Sequence, residues 1–232
     1  MTTLQATAPT NGKPTKPEIW RAVIVDDHPI FRNGLRYLLA RLEDVVVCAE
    51  AQDEEGGLKA FNDARANFAA VDISLAAGHG LNLVTRIKKA NPEAVVLVIS
   101  MFDDRVYAER ALAAGAAGYV CKQCESSELI KALKTVLNGE LYVNASTLQD
   151  MVREPEAGSG NGAQRKHQAL SGRELQIFTL IGQGRATHQI ASELQLAVST
   201  VETYRERLKS KLNLSSGAEL TRHAILWLMQ NT

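Results

Sequence analysis

The chain has 232 residues, 26 Lys+Arg against 26 Asp+Glu, 45% hydrophobic and 5% aromatic content. That length suits one large domain or two small ones, and no stretch approaches the ~18 unbroken apolar residues of a membrane helix. Zero net charge argues against a nucleic-acid binder only if the charge is evenly spread. Residues 1–157 carry 17 Lys+Arg and 21 Asp+Glu, net −4, whereas residues 158–232 carry 9 and 5, net +4. The split points to two domains with different partners.

Residues 1–19 are polar, with no apolar core of the kind a secretory signal has, and read as a disordered leader. Three cysteines are too few for a disulfide framework and suit a reducing, cytoplasmic compartment. From Arg21 onward, short apolar runs alternate with amphipathic segments. The runs are Ala22-Val23-Ile24-Val25, Val45-Val46-Val47, Phe68-Ala69-Ala70-Val71, Ala94 to Ile99, and Ala117-Gly118-Tyr119-Val120. Such runs fit strands buried on both faces of a parallel sheet. Helical spacing appears between them, as in Leu81, Val84 and Ile87. Five strand–helix units over 20–142 predict a doubly wound α/β domain.

Periodicity fades over 143–167, where Gly-Ser-Gly-Asn-Gly marks a flexible linker. The remaining 168–232 has no strand signal. Ser171 with Glu174 forms a capping-box pattern opening a helix to about 181, stopped by Gly182 and Gly184. A short helix over 187–194 and a tight turn follow. Ser199, with Glu202 three residues on, is expected to cap the third helix, which runs to about 212; a fourth spans about 216–229. Short helices joined by a tight turn predict a helix-turn-helix domain.

In an open parallel sheet the carboxyl ends of the strands share one crevice. Asp26 and Asp27 follow the first strand, Asp72 ends the third, Ser100 the fourth and Lys122 the fifth. Three converging carboxylates repel one another, and Mg²⁺ is the expected relief because it accepts few carboxylates plus waters and phosphate oxygens. Lys122 adds a point charge for an anion beside the metal. The set suits phosphoryl transfer onto an aspartate.

The motifs Val25-Asp26-Asp27-His28-Pro29, Val71-Asp72-Ile73-Ser74-Leu75, Ile99-Ser100-Met101 and Gly118-Tyr119-Val120-Cys121-Lys122 resemble the receiver domain of two-component response regulators. With the C-terminal part, the resemblance is to the NarL/LuxR (NarL/FixJ) family, from Arg21 to Trp227. It implies a flavodoxin-like strand order 2-1-3-4-5 and Asp72 as phosphoacceptor for a histidine kinase. It also implies Mg²⁺ held by Asp27, Asp72 and the Ser74 carbonyl, with Asp26 acting mainly through water. Ser100 and Lys122 would contact the phosphoryl group, and Tyr119 would be the switch aromatic. The family usually has Pro four residues after the phosphoacceptor; Ala76 stands there.

Leu170 to Glu174, Ile190 to Leu194, Thr200 to Arg205 and Lys211-Leu212 resemble the LuxR-type DNA-binding domain. The resemblance implies a homodimer on double-stranded promoter DNA, paired through the last helix. Candidate DNA contacts are His188, Ser199, Thr200, Glu202, Thr203, Arg205, Arg207 and Lys211. Lys and Arg attract phosphates, and short polar groups at the start of a recognition helix can reach base edges. The family favours cations where His188 and Ser199 stand. Glu202 has two readings, a cytosine contact or the cap partner of Ser199, and the cap is favoured.

Two other readings remain: a regulator with a vestigial, phosphorylation-independent receiver, and a metal-dependent phosphatase with an Asp nucleophile. The second lacks an acid two residues after Asp72, where Ser74 stands. Cys121-Lys122-Gln123-Cys124 is formally a C-x-x-C, but it lacks the helix-start setting of a redox motif. The opposite charges of the two halves predict an attraction between them and a closed state.

Overall fold

The computed structural model describes residues 17–101, 105–145, 147–148 and 170–231. Most of the expected leader and most of the expected linker lie outside them. The first half alternates β1 (Trp20–Val25), α1 (Pro29–Leu39), β2 (Val45–Ala51), α2 (Glu54–Asp63), β3 (Phe68–Asp72), α3 (Gly80–Ala90), β4 (Val95–Ser100), α4 (Arg105–Ala113), β5 (Gly118–Cys121) and α5 (Ser126–Leu137). The sheet is parallel, in the expected order β2-β1-β3-β4-β5.

Successive strand residues point to opposite faces, and here both faces are covered. Val23, Val25, Ala69, Val71, Val96 and Val98 pack with α2, α3 and α4. Their neighbours Ala22, Ile24, Phe68, Ala70, Leu97 and Ile99 pack with α1 and α5. This two-sided burial is why the strands read as continuous apolar runs. Helix α1 starts with Pro29, whose missing N–H costs nothing at that position. Asp53 caps α2 by accepting from the Gly56 N–H at 2.7 Å. The loop after β3 turns back so tightly that a Cβ on Gly80 would stand 2.0 Å from the Asp72 carbonyl oxygen.

The second half is all helical among its described residues: α6 (Gly172–Gly182), α7 (Thr187–Glu193), α8 (Val198–Leu212) and α9 (Gly217–Asn231). The predicted capping box is present, with Glu174 N–H donating to Ser171 Oγ and Ser171 N–H to Glu174 Oε2. Phe178 of α6 meets Trp227 of α9 at 5.5 Å between ring centroids. One expectation fails. Ser199 does not cap α8, because the extended residue before the helix is Ala197 and Ser199 already lies inside it. The α7–α8 turn closes earlier than the Ser/Glu pattern suggests, through left-handed Gln195 and a Leu196 N–H to Ala191 carbonyl bond of 2.8 Å. Glu202 is therefore released from the cap role.

Candidate functional site

The turn after β1 and the ends of β3 and β5 bring Asp26, Asp27, Asp72 and Lys122 together as expected. Lys122 Nζ lies 2.6 Å from Asp26 Oδ2 and 2.7 Å from Asp72 Oδ2. All three side chains are almost fully buried: 4% exposed for Lys122, 2% for Asp26 and 1% for Asp72. The ammonium also sits 4.6 Å from the centre of the Phe31 ring, and apolar walls of that kind strengthen its attraction to the carboxylates. Burial pushes Asp72 up to about 7, with Asp26 adding to the rise and Lys122 opposing it. Asp27 is raised too, chiefly by burial. The Ser74 N–H donates to Asp72 Oδ1 at 3.2 Å.

Whether these residues fit a metal can be judged from their donors. One oxygen each from Asp26, Asp27 and Asp72 and one nitrogen of His28 lie within 4.8 Å of one another. Asp27 Oδ1 is buried and faces His28 Nδ1 at 2.7 Å, so the carboxylate is turned toward the centre of this donor group. Hard carboxylate oxygens suit Mg²⁺. The donor set fits the ion.

Ser100 is fully buried at the end of β4, and its carbonyl accepts from the Lys122 N–H at 2.6 Å. Tyr119 is buried in the core shared with α4. Cys121 is buried, and burial together with Glu128 pushes the Cys124 thiol up to about 11, so thiolate chemistry is disfavoured there.

The C-terminal candidates line up along α8 and its neighbour. Ser199, Glu202, Thr203, Arg207 and His188 are exposed, while Thr200 and Arg205 are half-buried. Thr203 Oγ1 donates to the Ser199 carbonyl, and the Arg207 guanidinium lies 5.7 Å from the Tyr204 ring centre. Lys211 differs: its ammonium is 2.7 Å from Glu174 Oε2, which ties α8 to the capping box of α6. On α9, Ile225, Leu226 and Met229 are exposed whereas Trp227 is buried.

The two halves touch. Arg110 Nη1 of α4 donates to the Leu170 carbonyl at 2.8 Å, and Gln176 Nε2 of α6 donates to Ser74 Oγ. Sequence reasoning missed Arg173, Gln176 and His79, which meet at this junction. One signal was available. From Leu175 to Ile181 the helix is apolar almost all round, too wide for a single stripe, which marks a helix covered on two sides.

A doubly wound domain with a carboxylate–lysine pocket, joined to a helix-turn-helix, defines a phosphorylation-type regulator with a DNA-directed output. The family model described as response regulator receiver domain matches residues 22–134, and that for bacterial regulatory proteins of the luxR family matches 168–224. The oxygen regulatory protein NreC of Staphylococcus epidermidis is 33% identical over 210 residues, covering 88% of this chain and 96% of that protein. A LuxR-family response regulator from Aurantimonas sp. superposes with TM-score 0.54 at 29% identity, over 57% of this chain and 95% of that one. RcsB of Salmonella enterica serovar Typhimurium shares the fold at 23% identity, with TM-score 0.57 over 89% of this chain and 98% of that one. The chain belongs to the two-component response regulators, with a receiver domain followed by a LuxR-type DNA-binding domain.

Proposed function

We propose that the chain accepts a phosphoryl group on Asp72 from a histidine kinase and binds promoter DNA as a homodimer, in the cytoplasm. The receiver would span 20–142, the linker 143–167 and the DNA-binding domain 168–232. The observation that carries this reading is the placement of Lys122 Nζ between Asp72 and Asp26 in a buried pocket. Among the described residues, no helix is long and apolar enough to cross a membrane.

Asp72 is the nucleophile: a carboxylate oxygen attacks phosphorus, the phosphohistidine P–N bond breaks, and the imidazole leaves with a proton. Asp27, Asp72 and the Ser74 carbonyl would hold Mg²⁺, with Asp26 acting through water. The ion supplies neutralisation of phosphoryl charge when bound. Lys122 pairs with the phosphoryl oxygens as its hold on Asp72 loosens, and Ser100 donates to one of them. Three new acceptor oxygens pull these groups inward and bias the surface of β4, α4 and β5, with Tyr119 as the aromatic that follows. The chemistry is one self-limited transfer and its hydrolysis, not turnover of added phosphoesters.

On the output side, Ser199, Thr200, Glu202 and Thr203 face base edges, while Arg205, Arg207 and His188 meet the backbone. Lys211 joins the phosphate contacts only as far as Glu174 releases it. Exposed Ile225, Leu226 and Met229 form the self-complementary apolar patch that a two-fold dimer needs. Labelling with acetyl phosphate and Mg²⁺ tests the assignment. Wild type takes up one phosphoryl group and Asp72→Asn takes up none; equal labelling of both would move the site elsewhere.

A further inference from the structure

Helix α6 is buried on every side. From Glu174 to Ile181 each residue is buried, including Gln176 at 0% and Thr179 at 1% exposure. A surface helix of a small helical domain needs one apolar stripe, not a full circumference. Its two coverings are distinct. Phe178 faces Trp227 and His223 of its own domain. Gln176 faces the receiver, where its amide donates to the hydroxyl of Ser74, two residues from Asp72.

Two further contacts fix this placement. Gly172, the first residue of α6, lies flat on His79, the cap of α3, and a Cβ there would stand 2.1 Å from the imidazole Cε1. His79 is 3% exposed, so it has little room to yield. Arg110 of α4 holds the Leu170 carbonyl just before the helix. Arg173 comes close enough to Asp27 to feel its charge, while its guanidinium donates to Gln176 Oε1 and the Leu194 carbonyl.

Between the halves a cleft of about 480 Å³ remains, walled by Asp27, His28, Ser74 and Met101 on one side and Arg173 and Gln176 on the other. Asp72 is not among its walls, and its side chain is 1% exposed. Meanwhile Ser199, Glu202, Thr203, Glu206 and Arg207 of α8 are exposed. The docked arrangement thus sets α6 beside the acceptor pocket, at Ser74 and His79, and leaves the recognition surface open.

We infer that α6 of the DNA-binding domain is a lid on the phosphoacceptor pocket of its own chain, and that phosphoryl delivery to Asp72 is slowed until it lifts. The control lies on entry to the pocket rather than on masking of the recognition helix. In-line attack requires the phosphorus to come within about 3.5 Å of a carboxylate oxygen, and with α6 down a donor must make that approach through the cleft beneath the helix. Coupling between two sites is reciprocal: what the lid costs the phosphoryl group, the phosphoryl group returns by loosening the lid. This inference rests on Asp72 being the acceptor.

The test uses the full chain in four forms: wild type, Gly172→Ala, Gln176→Ala and Asp72→Asn. Gly172→Ala wedges the lid against His79, and alanine is the better helix former, so the helical domain keeps its fold. Gln176→Ala removes the Ser74 contact and, with it, the bond that Gln176 Oε1 accepts from Arg173. With acetyl phosphate and Mg²⁺, both lid variants label about fivefold or more faster than wild type. Without phosphodonor, both bind a mixed-sequence DNA duplex as wild type does. Labelling at the wild-type rate or slower in both variants overturns the lid. A gain in DNA affinity before phosphorylation overturns the claim that the recognition surface is already open. No labelling of wild type, or labelling of Asp72→Asn equal to it, would instead overturn the acceptor assignment.

Discussion

Lys122 and Arg207 are both cations proposed to meet phosphate, and the protein treats them in opposite ways. Lys122 is 4% exposed, wedged between two carboxylates and against the Phe31 ring. Arg207 is exposed on α8, with the Tyr204 ring centre 5.7 Å away. A group that must stabilise a phosphoryl on one fixed aspartate gains from a dry, preorganised setting, where each charge counts for more. A group that must find a DNA backbone gains from reach and keeps its hydration until contact. Stability and function are thus coupled in the receiver pocket and separate on the recognition helix.

Alanine substitution at both positions breaks the comparison most strongly if it is mistaken. Lys122→Ala leaves Asp26 and Asp72 buried without their cation, and this should cost about 3–5 kcal/mol near neutral pH. Burial already raises Asp72 to about 7, and Lys122 is what opposes the rise. A carboxyl whose folded value exceeds its unfolded value of 3.8 destabilises the fold as pH climbs. The Lys122→Ala deficit in urea melts should therefore grow from pH 5 to pH 7.5. Arg207→Ala should stay within about 0.5 kcal/mol of wild type, while lowering the salt slope of DNA binding by about 1. Equal stability losses for the two would erase the distinction.

A smaller effect sharpens the junction between the regions. Burial, with Arg173 and Arg110 nearby, holds His79 down to about 3. Glu54 accepts from the His79 backbone N–H rather than from its ring, and the charges that act on the imidazole are the two arginines. The docked state then excludes a proton that an undocked, hydrated His79 takes up near 6.5. Docking is unaffected above that value and weakens below it, by up to about tenfold per pH unit. Small-angle scattering between pH 7.5 and 5.5 should show the domains separating as pH falls, and His79→Gln should remove most of that dependence.

How much of this was legible in the sequence follows from the same contrast. Asp26, Asp27, Asp72, Ser100 and Lys122 follow or end runs buried on both faces, and such runs mark strands clearly. The crevice rule then gathers the residues without side-chain detail. The docking of α6 against Ser74 and His79 was hidden because it depends on how two domains settle. Gln176 and Gly172 carry no local pattern that names a partner a hundred residues away. The opposite net charges suggest an electrostatic contact between the halves. The residues that make it, however, are a neutral glutamine, a glycine and a carbonyl rather than an array of ion pairs.

The start of α8 shows a local pattern outvoted by its surroundings, and it yields the smallest prediction. Ser199 and Glu202 have the spacing of a capping box, and that pairing would stabilise the helix by about 1 kcal/mol. The turn before the helix decides otherwise. With Gln195 left-handed and Leu196 bonded back to Ala191, the chain enters the helix at Val198 and Ala197 takes the cap position without a side-chain bond. Ser199 then offers its carbonyl to Thr203, and Glu202 projects into water. Glu202→Ala should thus leave the melting midpoint within about 0.5 kcal/mol of wild type. A carboxylate facing the groove accepts from a cytosine amino group, so the same substitution should relax preference at a single base pair in a binding-site selection. A stability loss near 1 kcal/mol with unchanged base preference would restore the cap and remove Glu202 from the DNA face.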